Sequence, residues 1–227
     1  MATVMLVRHG RTAANAAGIL VGRAAGVPLD DVGRAQAERT AQRLGAIRLA
    51  AIVSSPLERC RETASIVLAE QPGSPPLSIE PGLTECDYGE WQGRRLSELA
   101  REKLWAQVQT KPASVVFPGG ESMAAMQARA VAAVRRQDAE VTAEHGPKAV
   151  WVAVSHGDVI KSVLADAFGM HLDHFQRISV GPASVSIVHY GASNPRVIGT
   201  NTDAGDLAWL RDGVAEMDAV GGGAGVS

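Results

Sequence analysis

The sequence has few cysteines, almost no net charge and no apolar run long enough to cross a membrane. Its two cysteines, Cys60 and Cys86, are too few for a disulfide framework or a zinc ligand set. A formal net charge of -2 argues against a general nucleic-acid or anionic-membrane surface, so any anion site must be local. The first residues do not have the pattern of a secretory signal. We therefore expect a cytoplasmic protein with no nucleic-acid or membrane partner.

Motifs that bind nucleotides or metals are missing as well. No G-x-G-x-x-G opens a helix after a strand, and neither G-x-x-x-x-G-K-[ST] nor His-Glu-x-x-His occurs. What the 227 residues do offer is enough length for one domain with a large core. We expect that domain over residues 1–205, with an insertion at about 86–120. Residues 206–227 read as an acidic, glycine-rich tail that is partly disordered.

Two apolar segments end in the same way, with a histidine followed by glycine. Val4 to Val7 is typical of a buried parallel strand, and it stops at Arg8-His9-Gly10. Residues 149–154 repeat the arrangement and stop at Ser155-His156-Gly157, where a helix begins. Because the carboxyl ends of parallel strands open onto the ligand crevice, we expect both histidines to lie there.

A third apolar run, residues 50–53, leads into a helix start that carries an arginine. Ser55 and Glu58 have the spacing of a capping box, and Pro56 stands at the first helical position. The pattern predicts a helix whose first turn holds Arg59. Taken alone, Arg59 is equally consistent with an ordinary surface arginine.

Together, Arg8, Arg59 and the two histidines predict a pocket for a compact dianion such as a phosphoryl group. Arginine binds phosphate oxygens bidentately and keeps its charge, whereas a neutral imidazole supplies a nucleophilic nitrogen. The arginines already provide positive charge and would repel a divalent cation. The pattern therefore predicts phosphoryl transfer without a metal or another cofactor.

A leaving alkoxide also needs a proton, and the loop at residues 83–93 offers Glu85, Asp87 and Glu90. The acid should lie near the cationic pocket but outside it, because contact with arginine favours the ionised form of a carboxyl group. The alternative is that such a carboxylate only anchors an arginine by a salt bridge.

Five motifs, in order along the chain, carry a resemblance to a known family. They are Arg8-His9-Gly10-x-Thr12-x-x-Asn15, Ser54-Ser55-Pro56-x-x-Arg59-x-x-x-Thr63-Ala64, Glu85-x-x-Tyr88-Gly89-x-Trp91-x-Gly93, Pro118-Gly119-Gly120-Glu121-Ser122 and Ser155-His156-Gly157. In this combination they resemble the histidine phosphatase superfamily, in the branch that contains the cofactor-dependent phosphoglycerate mutases. Residues 150–177 also resemble an actinobacterial-type subgroup labelled "probable phosphomutase".

The resemblance implies an α/β fold, a three-layer αβα sandwich with a mostly parallel sheet and a short insertion over the active site. It implies that His9 is the phosphorylated nucleophile and that Glu85 is the general acid. The phosphate pocket is then completed by Arg8, Arg59 and His156. The further substrate contacts that it implies are Asn15, Tyr88 and Gly157.

Three functions are compatible with this site. Mutase-like members carry a longer basic insertion, whereas here the span to Pro118 is short, which favours a phosphatase. Val21 replaces a hydroxyl residue, so the pocket loses one possible hydrogen bond. The complete set of nucleophile and acid argues against a pure binder. We therefore expect a phosphomonoester hydrolase first, a phosphomutase second and a non-catalytic phospholigand binder third. The substrate stays open among sugar phosphates, phosphoserine, phosphoglycerate and nucleotide monophosphates. A homo-oligomer is compatible with the sequence.

Overall fold

A six-stranded sheet with helices on both faces forms the centre of the computed structural model, which describes residues 1–191 and 194–203. The strands are β1 (Thr3–Arg8), β2 (Ala51–Ser54), β3 (Leu77–Ile79), β4 (Val150–Ser155), β5 (Val185–Tyr190) and β6 (Pro195–Thr202). The helices are α1 (Ala13–Ala16), α2 (Asp31–Leu44), α3 (Glu58–Ala69), α4 (Leu96–Leu99), α5 (Lys103–Thr110), α6 (Met123–His145) and α7 (Gly157–Ala167). Short 3₁₀ helices cover Pro81–Leu83, Gly89–Trp91, Pro112–Ser114 and Leu172–Arg177. The predicted tail, residues 206–227, lies outside the described residues.

The strand order is β3-β2-β4-β1-β5-β6, and most of the sheet is parallel. The first four strands of that order pair in parallel, while β5 runs antiparallel to both β1 and β6. The prediction of a mostly parallel α/β sheet is thus confirmed. The antiparallel pair β5–β6 closes one edge.

The sheet has an apolar core on each face because alternate residues of a strand point in opposite directions. Leu6 of β1 belongs to the core that contains side chains of α6 and α7, such as Val134 and Leu164. Its neighbour Val7 belongs to the opposite core, with Leu44 of α2 and Val67 of α3. The predicted three-layer sandwich is therefore confirmed. Each aliphatic side chain buried in this way contributes roughly 1.5–3 kcal/mol to the free energy of folding.

The capping box predicted at Ser55 and Glu58 is wrong. Helix α3 begins at Glu58, and its N-cap residue Leu57 has no side-chain oxygen to offer. The Ser55 hydroxyl lies 2.8 Å from Nε2 of His156 instead. A buried imidazole nitrogen needs a hydrogen-bond partner, and this demand outweighs the local capping preference.

The insertion is less regular than the periodicity predicts. The sequence predicts one helix from about Leu96 to Val108, but the chain forms α4, breaks at residues 100–102, and continues as α5. The sequence also predicts a long helix from Glu121 to Glu144. The helix observed there is α6, which starts at Met123, and the Ser122 hydroxyl accepts a hydrogen bond from Ala125 N–H. Within the described residues, no helix combines the length and the apolar character needed to cross a membrane.

Candidate active site

Three neighbouring strands of the sheet, β2, β4 and β1, deliver the predicted site residues to one edge. Arg8 at the end of β1 is in register with Ser155 of β4, and the His9 amide donates to the Ser155 carbonyl at 3.0 Å. Arg59 enters from the first turn of α3, which follows β2. The structure brings the five predicted catalytic side chains together, and all five are at most 3% exposed. They are Arg8, His9, Arg59, Glu85 and His156.

Gly10 allows the loop after β1 to pack against the start of α2. A Cβ atom at Gly10 would lie 2.3 Å from the carbonyl oxygen of Gly33, and one at Gly33 would lie 2.0 Å from the Arg11 carbonyl. Neither distance is possible for real atoms, so both positions need glycine. This close approach accounts for the glycine after His9.

The His9 ring is held with its second nitrogen turned to the cleft. Its Nδ1 lies 2.7 Å from the Gly10 carbonyl, which can only accept, so Nδ1 carries the proton. The Nε2 lone pair accepts from Arg59 Nε at 3.2 Å. Burial, followed by the charges of Arg59 and Arg8, places the pKa of His9 well below its ordinary value. His9 is therefore a neutral imidazole with its nucleophilic nitrogen beside a guanidinium.

Arg59 is the cation around which the cleft is built. Its Nη2 donates to the Gly22 carbonyl at 2.8 Å and to His156 Nδ1 at 3.2 Å. Its Nη1 is buried and has no hydrogen-bond partner among the described residues. A buried donor without a partner costs roughly 1–3 kcal/mol, which an anion in the cleft would recover.

Two fully buried groups lie beside Arg59. The His156 ring is held in the tautomer opposite to that of His9, because its Nδ1 accepts from Arg59 and its Nε2 therefore donates to Ser55. Burial and then the charge of Arg59 lower its pKa well below the ordinary value. For Arg8, Nη1 donates to the Val180 carbonyl at 2.8 Å, and burial lowers the pKa to about 10.

Glu85 lies deeper than expected, inside the cationic pocket rather than outside it. Its Oε2 is 3.8 Å from His156 Nδ1, and its Oε1 accepts from Cys86 N–H at 2.9 Å. Burial, with the nearby charge of Asp158, raises the pKa of Glu85 to about 7, against the opposing pull of Arg59. A carboxyl group with this pKa is protonated in a large fraction of molecules at neutral pH.

A comparison with known families identifies the arrangement. The sequence model of the histidine phosphatase superfamily (branch 1) matches residues 4–203. The chain belongs to this superfamily. The expectation of an enzyme that acts on phosphate monoesters is thereby confirmed, while the role of each side chain stays a prediction.

Curated relatives of this histidine phosphatase include proteins named as phosphatases and a protein named as a probable mutase. Phosphoserine phosphatase 1 of Hydrogenobacter thermophilus is 31% identical over 83% of this chain and 87% of its own. A Yersinia pestis protein named probable phosphoglycerate mutase is 32% identical over 92% of this chain and 95% of its own. Among solved structures, the alpha-ribazole phosphatase from Shigella flexneri superimposes with a TM-score of 0.75 at 25% identity. That match covers 88% of this chain and 96% of the Shigella chain.

Two of the three predicted substrate contacts line the phosphatase cleft. Asn15 lines the cleft, and its Oδ1 accepts from Thr12 N–H at 3.1 Å and Thr12 Oγ1 at 2.9 Å, so its amide NH₂ is the group left to meet a ligand. Tyr88 also lines the cleft, but its hydroxyl donates to Asp158 Oδ2 at 2.7 Å. Gly157 is buried at the first position of α7.

Sequence reasoning missed the part that Asp158 and Ser55 take in the site. Asp158 is fully buried, fixes the Tyr88 hydroxyl and raises the pKa of Glu85. Its position in the first turn of a helix that follows a strand, histidine and glycine was a usable signal. Ser55 was noticed only as a helix cap, because local spacing does not reveal a contact with a residue 101 positions away.

Part of the cleft lining is apolar. The apolar lining residues are Ile19, Leu20, Val21 and Leu96. The aromatic residues of the insertion pack on one another, with Trp91 stacked on Trp105 at 6.1 Å between ring centroids. Within residues 1–191 and 194–203, no group of three or more His, Cys, Asp or Glu side chains is placed to hold a metal ion.

Proposed function

We propose that the chain is a phosphomonoester hydrolase that carries the phosphoryl group on Nε2 of His9 during turnover. The observation that supports this most is the state of the His9 ring. Its Nδ1 proton is fixed on the Gly10 carbonyl, and its Nε2 lone pair lies 3.2 Å from Arg59 Nε in the cleft. That distance is at the long end of the ordinary hydrogen-bond range, and we propose that an incoming phosphate replaces this bond.

In the first step, Nε2 of His9 attacks phosphorus, a P–N bond forms, and the P–O bond to the leaving group breaks. Glu85 gives its proton to the departing oxygen, since a carboxyl group with a pKa of about 7 is a good acid at neutral pH. In the second step the ionised Glu85 takes a proton from water as the water oxygen attacks phosphorus. The P–N bond then breaks, and inorganic phosphate leaves.

The remaining site residues stabilise the charge of the transferring group. The free Nη1 of Arg59 is the first donor available to phosphate oxygens, with Arg8 beside it. A bound dianion favours protonated His156, whose Nδ1 then donates as well. The remaining predicted substrate contacts are the Asn15 amide, Tyr88 and Gly157. Because the two arginines supply the positive charge, we expect no metal requirement.

The cleft lining favours hydrolysis over a mutase reaction. A mutase must hold the second anionic group of its substrate while the phosphoryl group moves, and Ile19, Leu20, Val21 and Leu96 of the cleft lining are apolar. The insertion offers five cations. Arg94 donates to Glu102 at 2.8 Å, and Arg95, Arg101, Lys103 and Lys111 are exposed, with Arg95 paired with Ile19 through the backbone. The relative named as a mutase keeps that reaction as the second candidate.

The substrate class is a small phosphorylated metabolite, as the names of the related phosphatases suggest. We further propose that residues 1–205 form one domain in which residues 86–120 cover the cleft. The cytoplasmic location and the homo-oligomer stay predictions from the sequence.

The fate of the phosphoryl group tests the proposal. Purified protein receives 3-phosphoglycerate with catalytic 2,3-bisphosphoglycerate, and in parallel phosphoserine and p-nitrophenyl phosphate. We expect release of inorganic phosphate. Formation of 2-phosphoglycerate without phosphate release would make the mutase reaction the correct one. Saturable binding with no turnover of any substrate would make the protein a binder.

A further inference from the structure

The loop that carries Glu85 is tied down by a cluster of three charged residues outside the cleft. Arg23, Glu121 and Arg129 come from the loop after α1, the end of the insertion and helix α6, respectively. Their side chains are 35%, 17% and 24% exposed, so they lie behind the loop at the protein surface. None of the three enters the phosphoryl-transfer steps proposed above.

Arg129 holds the backbone on the N-terminal side of Glu85. Its Nη1 donates to the carbonyls of Gly82 and Thr84 at 2.9 and 2.6 Å, and its Nη2 donates to the carbonyl of Glu85 itself at 3.0 Å. One planar guanidinium thus fixes three carbonyl groups within four residues. A lysine in its place cannot match this fork, because its donors radiate from a single atom.

Glu121 orients the two arginines and holds the other side of the loop. Its carboxylate accepts from Arg129 Nη2 at 2.6 Å, from Arg23 Nη2 at 2.9 Å and from Asp87 N–H at 2.9 Å. Arg23 in turn donates from Nε to the Glu85 carbonyl at 2.8 Å. The Glu85 carbonyl therefore accepts from two arginines that share one carboxylate.

The charge balance of the cluster indicates that it holds the loop rather than binding substrate. Burial raises the pKa of Glu121, but the hydrogen bonds from Arg129 and Asp87 N–H and the charges of Arg129 and Arg23 outweigh it, so the pKa is lowered. Glu121 is thus ionised at neutral pH and compensates the arginines. Arg23 also lies 3.6 Å from the Asp87 carboxylate.

We propose that Arg129 and Glu121, with Arg23, are positioning residues that set the place of the Glu85 carboxyl group against the leaving oxygen. The proposal rests on the proposed function, since it requires Glu85 to be the proton donor. A general acid must come within about 2.6–3.2 Å of the oxygen that it protonates. A displacement of about 1 Å costs on the order of 10²-fold in rate.

The test compares two leaving groups in Arg129→Met. Turnover of an alkyl phosphate such as phosphoserine should fall by about 10–100-fold. Turnover of p-nitrophenyl phosphate should fall by less than about threefold, because its leaving group needs little protonation. Arg129→Lys should show the same selective loss, and Glu121→Gln a smaller one. Glu121→Gln also serves if Arg129→Met does not fold.

The matched control is Arg135→Met, on the same helix. Arg135 pairs with Asp166 at 2.7 Å, is 52% exposed and is remote from the Glu85 loop, so the ratio of the two rates should stay at the wild-type value. The decisive variant is the double substitution Arg129→Met with Glu85→Gln. If Arg129 acts through Glu85, the double variant should turn over phosphoserine no more slowly than Glu85→Gln alone.

Four results would overturn the proposal. If the turnover rates of both substrates fall equally in Arg129→Met, the substitution has loosened the fold in general. If neither rate falls, the Glu85 loop keeps its position without Arg129. A further loss in the double variant would show that Arg129 acts independently of Glu85. If Glu85→Gln alone fails to separate the two substrates, the proton-donor assignment itself has failed, and the positioning proposal fails with it.

Discussion

The ends of β1 and β4 have the same local sequence, a histidine followed by glycine, yet they hold their imidazoles in opposite tautomers. His9 donates from Nδ1 to the Gly10 carbonyl and presents Nε2 to the cleft. His156 accepts at Nδ1 from Arg59 and donates from Nε2 to Ser55. The ring centroids are 5.3 Å apart, and burial lowers both pKa values well below the ordinary one.

The difference lies in what surrounds each ring. His156 is enclosed, with Ser55 on one nitrogen and the Cys60 sulfur 3.4 Å from the same atom. Each ring also has a 3.2 Å hydrogen bond to Arg59, at Nε2 of His9 and at Nδ1 of His156. Of the two histidines, however, His9 is the one that lines the cleft, so an incoming phosphate can displace the bond at His9. Strand topology therefore brings two equivalent histidines to the site, and their neighbours assign one to attack and the other to charge stabilisation.

We expect the largest effect on turnover when each of the two histidines is replaced in turn. His9→Asn should reduce turnover of every phosphomonoester by roughly 10⁴-fold or more, because no other group replaces the nucleophile. His156→Asn removes charge stabilisation only, so its loss should be about 10²–10³-fold. Steady-state rates of both variants with p-nitrophenyl phosphate check this order. A larger loss in His156→Asn would reverse the two roles.

Glu85→Gln asks whether the carboxyl group beside His156 acts as an acid. Turnover of phosphoserine should fall by roughly 10²–10⁴-fold, while turnover of p-nitrophenyl phosphate should be largely retained. If both rates fall by one factor, Glu85 only anchors the pocket, and Asp87→Asn is the variant to measure next.

The pH dependence of kcat/KM distinguishes the acid Glu85 from the nucleophile His9, because the two groups titrate in different pH ranges. Glu85 must be protonated and has a pKa raised to about 7, so kcat/KM should fall as the pH rises above about 7. His9 must be neutral, and its pKa is lowered, so protonation of His9 should reduce kcat/KM only well below pH 6.5. The alkaline fall should disappear in Glu85→Gln. Its persistence there would assign the titration to another group.

The smallest effect concerns the enclosure of His156. Ser55→Ala removes the acceptor of the Nε2 proton, a hydrogen bond worth about 0.5–1.5 kcal/mol. We expect a loss of about tenfold or less in kcat, measured with the same two substrates, and no change in their ratio. A loss as large as that of His156→Asn would mean that the tautomer, rather than the ring itself, is what the site needs.

Much of the fold followed from local patterns in the sequence. The strands β1 and β4 were predictable, because apolar runs act through their immediate neighbours. The edge to which Arg8 and His156 are delivered followed from the rule for parallel strands. The helix cap at Ser55 failed because a distant buried imidazole outcompeted the local preference.

The sequence allowed us to predict which residues form the site, but not how burial and neighbouring charges shift their pKa values. Glu85 could be identified as a candidate acid from its motif and its place in the chain. Its depth in the pocket and its proximity to Asp158 depend on packing between segments that are far apart in the chain. The cluster of Arg23, Glu121 and Arg129 joins three such segments in the same way. Long-range contacts of this kind have no periodicity or spacing that sequence reasoning can detect.

The measurement that tests the central claim most directly is rapid-quench labelling with a phosphosubstrate that carries a radioactive phosphoryl group. The wild-type protein should yield an acid-labile, base-stable label that maps to His9. His156→Asn should still acquire that label, more slowly, and His9→Asn should acquire none. Equal labelling of His9→Asn, or a label that maps to His156, would contradict the assignment of the nucleophile.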